Sequence, residues 1–494
     1  MKLVELLSAL PDFRVSPALR DLEVTGVSQD SRTVARGDVF VAIRGGKADG
    51  WTHAGEAAAR GAAAVISEQP APPGFPAPTP WLRVPSARRA LGLLAARIAG
   101  DPAEKLVLAG VTGTNGKTTT AMLLESQLAR RYGRAGFVGT VAYRTGRREI
   151  PASQTTPEAP LLQELLSEMV DAGVRAAAME VSSHSLALDR VAGCRFDVAV
   201  FTNLTQDHLD FHGDLETYFG AKKRLFELRK PGAPAVVNAD DAFGRRILQQ
   251  TPAPVVSWSV AGAPADVRAE NVRCNLSGIE LDVVHPGGRF RISSPLVGRF
   301  NVDNLTGAAA AGLSLGLSEA EVTAGIAAVA RVPGRLERVE AGQPYPIVVD
   351  YAHTEDALRR LLLAVRDLTD KKIVLVFGCG GDRDAGKRAP MGRVAGRLAD
   401  IAIATSDNPR SEDPDAILAQ VEVGLAASGA TKYLKIADRR EAIRTAIDLA
   451  NSGTIVVIAG KGHERVQVIG NESIPFDDRE VAAEFASRRS TDRG

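Results

Sequence analysis

Short unbroken apolar runs, each closed by a polar or glycine-rich segment, recur along this 494-residue chain. Runs of that kind fit strands buried on both faces, and the stretches between them carry apolar residues at helical spacing. In the first hundred residues or so, Val39-Phe40-Val41-Ala42-Ile43, Ala63-Ala64-Val65-Ile66 and Trp81-Leu82-Arg83-Val84 read as strands, with an alanine-rich helix over 53–60. Proline is dense over 69–80, which reads as a stiff surface loop. Further on, Leu106-Val107-Leu108-Ala109, Ala176-Ala177-Ala178-Met179-Glu180-Val181 and Phe196-Asp197-Val198-Ala199-Val200-Phe201 predict buried strands. The stretch 267–292 alternates and is broken at Ser277-Gly278 and Pro286-Gly287-Gly288, which predicts a small antiparallel insert. Arg331-Val332-Pro333-Gly334-Arg335 reads as a linker. Beyond it, Ile347-Val348-Val349-Asp350, Ile373-Val374-Leu375-Val376-Phe377, Ile401-Ala402-Ile403-Ala404 and Ile455-Val456-Val457-Ile458 predict strands, and a helix starts at Asp413-Pro414. The pattern predicts an α/β protein of three domains, 1–102, 103–332 and 333–494. The first is a small α/β domain. The second has a parallel sheet plus a small antiparallel sheet, and the third is doubly wound and Rossmann-like.

Length agrees with that count at about 100–200 residues per domain. Acid and base nearly cancel, with 60 Lys and Arg against 59 Asp and Glu, and no basic stripe interleaved with aromatics is present. Nucleic-acid binding therefore has little support. Cys194, Cys274 and Cys379 are scattered and odd in number, which fits a reducing compartment rather than a disulfide framework. Met1-Lys2-Leu3-Val4-Glu5-Leu6-Leu7 reads as a short amphipathic helix, and Glu5 interrupts any signal-type apolar core. No apolar run reaches membrane length. A cytoplasmic protein that neither enters a membrane nor binds nucleic acid is expected, and a monomer.

The first candidate for chemistry is Gly110-Val111-Thr112-Gly113-Thr114-Asn115-Gly116-Lys117-Thr118-Thr119-Thr120. An apolar run precedes it, and Ala121-Met122-Leu123-Leu124-Glu125-Ser126-Gln127-Leu128 follows at helical spacing. Strand, glycine-rich loop and helix is the order of a phosphate-binding loop, although the spacing Gly-x-x-x-x-Gly-Lys-Ser/Thr is met only loosely. Glycine lets successive backbone N–H groups point inward at phosphate oxygens. Lys117 can reach the terminal phosphates, Thr118 can place a hydroxyl on magnesium, and the helix start adds its positive dipole end.

Two predicted strands of the same region end in polar clusters. One holds Glu180, Ser182, Ser183 and His184; the other holds Thr202, Asn203, Asp207, His208, Asp210 and His212. Ligands of open α/β sheets bind at the carboxyl ends of strands, so chemistry belongs there. Glu180 and His184, with Asp207 and His208, suit a magnesium ion or a water bound to one. Lys222, in an amphipathic stretch, reads as a solvated surface lysine. Three loops follow strands in the last domain: Gly378-Cys379-Gly380-Gly381-Asp382-Arg383-Asp384, Asp407-Asn408-Pro409-Arg410 and Gly460-Lys461-Gly462-His463-Glu464. Arginines and carboxylates at one sheet edge suit a zwitterion such as an amino acid.

These motifs resemble those of the Mur ligase family, in its order and over essentially the whole chain. Gly113-Thr114-Asn115-Gly116-Lys117-Thr118-Thr119 is similar to its ATP loop. The same holds for Asp207-His208-Leu209-Asp210-Phe211-His212-Gly213, Gly298-Arg299-Phe300-Asn301-Val302-Asp303-Asn304, Asp350-Tyr351-Ala352-His353 and Gly460-Lys461-Gly462-His463-Glu464. The resemblance is nearest to the branch that adds the third peptide residue to UDP-N-acetylmuramoyl-L-alanyl-D-glutamate, and Asp407-Asn408-Pro409-Arg410 resembles the signature of its meso-diaminopimelate-adding members.

The resemblance implies roles, with ATP and Mg2+ as cofactors. Ser31 with Gly46, Lys47 and Ala48 would hold the UDP end, and Thr155, Thr156, Ser182 and Arg190 the muramoyl-dipeptide. Gly113 to Thr119, with Asn301, Arg335, Asp350 and His353, would surround the nucleotide. Lys222 would be carbamylated, an anion able to ligate magnesium beside Thr118, Glu180 and His208. Lys117, Glu180, His208 and Lys222 would be the catalytic set. Arg383, Asp407, Asn408, Pro409, Arg410, Gly460 and Glu464 would grip diaminopimelate. Leu188 stands where relatives often have glutamine, and Glu355 where proline is common. The implied activity is ATP-driven amide synthesis through an acyl phosphate, in peptidoglycan precursor assembly. A lysine-adding ligase of the same step and a nucleotide-gated binding protein stay open as alternatives.

Overall fold

The computed structural model describes residues 1–11, 19–45, 48–76, 78–430 and 432–491. Gly46 and Lys47 lie outside the described residues. Contacts divide the chain into two compact units. One comprises Met1–Glu270, Asp282–Arg291 and Asp303–Ala328; the other comprises Asn271–Leu281, Ile292–Val302 and Val329–Gly494.

The first unit opens with a four-stranded parallel sheet, Gly26–Ser28, Asp38–Ala42, Ala64–Ser67 and Trp81–Arg83. Its strands read as apolar runs because both faces are covered. Leu3, Leu6 and Leu7 of the first helix pack on one face with Leu91 and Leu94 of the helix Ala87–Ile98. Ser86 starts that helix by accepting the N–H of Arg89 at 3.2 Å.

An eleven-stranded sheet follows. Val107–Thr112 lies between Ala176–Glu180 and Val198–Phe201, parallel to both. The register sets Val111 opposite Glu180 and Thr112 opposite Phe201, so the three strands end at one edge. The helix after the loop is Lys117–Tyr132. It is met closely by two glycines: a Cβ on Gly312 would lie 2.0 Å from Gln127 Oε1, and one on Gly325 2.5 Å from Gln127 Cα. The expected antiparallel insert is present as Val267–Asn275, Gly278–His285 and Gly288–Ser294. It continues the large sheet rather than standing apart, because Trp258 pairs with Val267 in parallel. The other edge carries Gly136–Val138, Ala142–Arg144 and Glu149–Pro151, which no apolar run announces because each strand spans only 3 residues.

In the second unit a six-stranded sheet runs in the order Glu337–Arg338, Ile347–Asp350, Thr454–Ala459, Lys372–Cys379, Ile401–Ser406, Tyr433–Lys435. Only the first pair is antiparallel. Asp350 pairs with Ala459 and Cys379 with Ser406, so four loops leave the same edge. The helix Pro414–Ala427 starts at Asp413, with proline in its first turn. The stretch expected to be a linker is packed. Val332 is buried, and Gly334, at φ +66°, comes so close to the last of these loops that a Cβ would sit 2.3 Å from His463 N. Among the described residues no helix is long and apolar enough to cross a membrane.

One ion pair is wholly buried in this unit. Arg439 gives Nε and Nη2 to the two oxygens of Asp478, each at 2.7 Å, and Nη1 and Nη2 also reach Ser406 O and Ala459 O. Both side chains are 0% exposed. The bidentate geometry offsets the cost of desolvating two charges, and removing one partner would strand the other. Asp478→Ala is therefore expected to destabilise this unit by about 3–5 kcal/mol in denaturant unfolding. Arg440→Ala, which breaks an exposed pair with Glu484, should cost at most about 1 kcal/mol. Equal losses in the two variants would contradict this account.

Candidate active site

The phosphate loop is shaped by glycines and by its neighbour strand's exit. Gly113 and Gly116 have φ of +152° and +86°, and a Cβ at Gly116 would lie 2.3 Å from Asn304 Oδ1. The segment after Val198–Phe201 clamps the loop. Thr114 N donates to Asn203 O at 2.8 Å, Asn115 N to Asn203 Oδ1 at 3.0 Å, and Thr202 Oγ1 to Asn115 O at 2.6 Å. Lys117 Nζ donates to the carbonyls of Gly113 and Thr114, both at 2.9 Å.

Lys222 corrects the expectation from sequence. It is 1% exposed, and its Nζ donates to the same Gly113 carbonyl at 2.7 Å. Tyr218, one helical turn earlier, puts its ring 4.4 Å beneath that nitrogen and its hydroxyl 3.2 Å from Thr114 Oγ1. The helix Leu215–Lys223 therefore turns Tyr218, Phe219 and Lys222 inward, and amphipathic spacing alone cannot say which face that is. Burial, together with the Lys117 charge, holds Lys222 well below the usual lysine range. Its environment therefore favours the neutral amine over the ammonium, inside the loop's wall.

Glu180 is completely buried and accepts three hydrogen bonds: from Thr118 Oγ1 at 3.0 Å, Thr140 N at 2.7 Å and Thr140 Oγ1 at 3.1 Å. Thr118 and Glu180 thus come together as hard oxygen donors. His208 makes none of these bonds; it stands in a group of rings, 6.2 Å from the Tyr218 ring and close enough to Lys117 and Lys222 to feel their charge. Its centroid lies 4.8 Å from His184, which stacks on Phe211 at 4.2 Å, and its Nε2 lies 3.5 Å from Asp207 Oδ2. Burial lowers His208, and burial with the neighbouring His208, His212 and Arg190 takes His184 down to about 4. Among the described residues no group of three or more His, Cys, Asp or Glu is arranged to hold a metal ion.

The dipeptide candidates are contiguous with Glu180. Thr155 Oγ1 is 3.1 Å from Thr140 Oγ1; Thr156 Oγ1 donates to Glu180 O at 2.8 Å and receives Ser182 N at 3.1 Å. Arg190 reaches Thr156 O at 3.1 Å, Gln154 Oε1 at 2.5 Å and Glu158 at 2.6 Å. Ser31 stands in the first sheet's loops, donating to Glu56 at 2.8 Å, and Ala48 O accepts Gly45 N at 2.8 Å.

The other nucleotide candidates belong to the second unit. Asn301 Nδ2 donates to Val297 O at 2.7 Å. Asp350 accepts Leu336 N at 2.7 Å and Ala352 N at 2.8 Å, and burial raises its carboxyl. Arg335 lies 5.2 Å from the Tyr351 ring, and His353, lowered by burial, bonds Tyr351 O at 2.9 Å.

The amino-acid candidates converge more tightly. Lys461, 0% exposed, donates to Asn408 Oδ1 at 2.9 Å and Glu464 Oε2 at 3.2 Å, and Asn408 Nδ2 also donates to Glu464 Oε2 at 2.9 Å. Asp407 Oδ1, 3.7 Å from Lys461 Nζ, is buried without a hydrogen-bond partner among the described residues. Pro409 is buried, and a Cβ on Gly381 would meet its carbonyl oxygen at 1.9 Å. Arg410, at φ +52°, directs Nη1 to Gly381 O at 2.7 Å. Gly460 is buried at φ +119°, whereas Arg383 is exposed and donates to Asp382 O at 3.2 Å.

Residues 23–98, 111–312 and 334–462 match, respectively, the Mur ligase family catalytic domain, the Mur ligase middle domain and the Mur ligase glutamate ligase domain. The chain belongs to the Mur ligase family. It is 47% identical, over 99% of its own length and 100% of the relative's, to a UDP-N-acetylmuramoyl-L-alanyl-D-glutamate--2,6-diaminopimelate ligase of Geobacillus kaustophilus. It is 46% identical to the protein of the same name from Solibacter usitatus, with 98% of each chain covered. A solved structure of a ligase of that name superposes with a TM-score of 0.72 at 35% identity, over 99% of this chain and 100% of that one. A MurF ligase from Thermotoga maritima in complex with ADP shares the fold, with a TM-score of 0.61 at 20% identity, covering 96% of this chain and 100% of that one.

In this Mur ligase several contributors escape a reading by motif. Thr140 and Gln154 sit on or beside the short edge strands, whose existence the sequence hides. Thr205 ties Thr114 down through its backbone N–H at 3.0 Å. Tyr218 lies outside every motif, though an aromatic four residues before a lysine, on one helix face, is the signal for such a pair.

The downward shift of Lys222 has a measurable consequence. Above its depressed value and below the ordinary 10.5, the unfolded chain holds a proton on Lys222 that the folded chain lacks, so this group's contribution to stability rises with pH. Lys222→Met removes that linkage. In CO2-free buffer the stability of the variant relative to the parent should fall as pH rises toward about 10, by up to about 1.4 kcal/mol per pH unit, read by denaturant unfolding. A pH-independent offset would show that Lys222 is charged in the fold.

Proposed function

We propose that this Mur ligase joins meso-diaminopimelate to UDP-N-acetylmuramoyl-L-alanyl-D-glutamate, using ATP, in the assembly of peptidoglycan precursors. The observation that carries the reading is the near-complete match, at 47% identity, to a ligase named for that reaction. The geometry fits it. The glycine-rich loop with Lys117 supports a phosphate role, and the gathering of Asp407, Asn408, Arg410, Lys461 and Glu464 supports an amino-acid role.

The substrate's glutamyl carboxylate attacks the γ-phosphorus of ATP, giving an acyl phosphate and ADP. Lys117, the loop N–H groups and the helix start offset the charge on the phosphoryl oxygens. The amine of diaminopimelate then attacks the acyl carbon; inorganic phosphate leaves and the nitrogen loses a proton. Thr155, Thr156, Ser182 and Arg190 orient the dipeptide, and Ser31 and Ala48, with Gly46 and Lys47, hold the UDP end. Asn301, Arg335, Asp350 and His353 serve the nucleotide. Asp407 Oδ1, buried with unfilled acceptor capacity, suits an incoming ammonium, as does Glu464. Arg410 pairs with the distal carboxylate that lysine lacks. We assign the three roles to domains of about 1–102, 103–332 and 333–494, in a monomeric cytoplasmic enzyme.

Magnesium is part of this proposal. Thr118 and Glu180 offer the oxygen donors it prefers, 3.0 Å apart, and His208 would add a nitrogen ligand. Lys222 would join them after its neutral amine adds to CO2, forming an N–C bond and releasing a proton to give a carbamate. When bound, the ion would neutralise phosphate charge.

Phosphate release with the UDP-muramoyl-dipeptide, ATP and either diaminopimelate or lysine tests the reading. Release that requires diaminopimelate is expected. Lysine preference would assign the alternative amine, and release independent of any amine would indicate a nucleotide switch. Arg410→Ala should lower kcat/KM for diaminopimelate by about 30- to 1000-fold, the equivalent of losing a buried charge-assisted contact worth about 2–4 kcal/mol. Unchanged turnover would remove Arg410 from the specificity site.

A further inference from the structure

The loop that carries Arg410 does not stand alone. It is bonded along its length to a two-stranded hairpin, Val466–Ile469 with Glu472–Pro475, whose strands pair antiparallel. Gln467 Nε2 donates to Asp407 O at 2.8 Å. Val468 N donates to Asn408 Oδ1 at 3.0 Å. Arg410 N donates to Val468 O at 3.0 Å, and Gly470 N donates to Arg410 O at 2.7 Å. Arg410 thus bridges Ile469 in parallel fashion, and the loop behaves as a third strand on the hairpin's inner edge.

The consequences fall on Arg410. Its φ of +52° lies in the left-handed region, which an arginine occupies only when its surroundings hold it there. Both its backbone polar groups are committed to the hairpin, so its Cα–Cβ direction is set by the hairpin's register. Nη1 then meets Gly381 O. Gly470, at φ +59°, closes the hairpin at its turn and gives the bond to Arg410 O from the same residue. Gln467 is the only side chain of the first hairpin strand that bonds the loop among the described residues, and it is 8% exposed.

We infer that the hairpin 466–475 is the element that fixes amine specificity, with Gln467 as its positioning residue: it holds the Asp407–Arg410 backbone so that Arg410 meets the second carboxylate of a dicarboxylic diamine. The inference rests on the reading that Arg410 binds that carboxylate. A hairpin register shifted by one residue would turn the bonding groups to the other face and release the loop.

Gln467→Met keeps the side-chain length and removes the N–H donor. Its KM for diaminopimelate should rise at least about tenfold, while kcat at saturating amine and the KM for ATP and for the UDP-substrate stay within about twofold. Any turnover with lysine should fall less than that with diaminopimelate, so the preference for diaminopimelate narrows. A merely structural role would instead move all three KM values together, and that result, or an unchanged KM for diaminopimelate, overturns the inference. If Gln467→Met fails to fold, Gly470→Ala decides in its place. It meets no atom within 4 Å but strains the turn at φ +59°, and the same isolated rise in KM is expected. Arg410→Ala separates the two levels. If that variant loses the preference and the hairpin variants do not, only the hairpin's role fails. If Arg410→Ala keeps the preference, the specificity reading itself fails.

Discussion

Parallel pairing is the constraint on which the rest of this structure depends. Strands that run the same way deliver their exits to a common edge, and the register decides which residues meet there. In the large sheet that edge gathers Thr112, Glu180 and Phe201, and with them the phosphate loop, Thr118 and the Thr202–Asn203 clamp. In the six-stranded sheet it gathers the loops after Asp350, Cys379, Ser406 and Ala459. Each sheet edge becomes a candidate site for the same topological reason.

Burial then sets the chemistry of the charges brought to those edges. Lys117 and Lys222 both donate to Gly113 O, and two ammonium groups on one carbonyl oxygen would repel strongly away from water. Burial and the Lys117 charge both push Lys222 toward losing its proton. Lys461, equally buried, is instead surrounded by Asn408, Glu464 and Asp407, so its setting is one of acceptors. Arg439 is satisfied by Asp478 and two carbonyls. Three buried basic side chains thus have three different settings, decided by what faces each of them.

Local strain marks where the fold is held for use. Gly113 and Gly116 take left-handed conformations that glycine adopts without a Cβ penalty, where the chain curls from strand to helix. Arg410 takes one that a side chain rarely adopts, held by four hydrogen bonds between its loop and a hairpin that follows it by more than fifty residues. The packed turn at Gly334 brings the segment expected to be a linker against His463 and into the second unit's core.

The sequence by itself determined the α/β class, the buried strands, the phosphate loop and the three polar loops of the last sheet. Those features are written locally, in apolar runs, in glycines placed before a helix, and in charges placed just after strands. Family resemblance extended that reading to most of the candidate site residues. Tertiary structure alone decided the inward face of Leu215–Lys223, and with it the fate of Lys222. It alone built the short edge strands around Thr140 and set the hairpin against Arg410. Three-residue strands are too short to show a period, a helix's spacing does not name its buried face, and a contact between distant segments leaves no mark on either one.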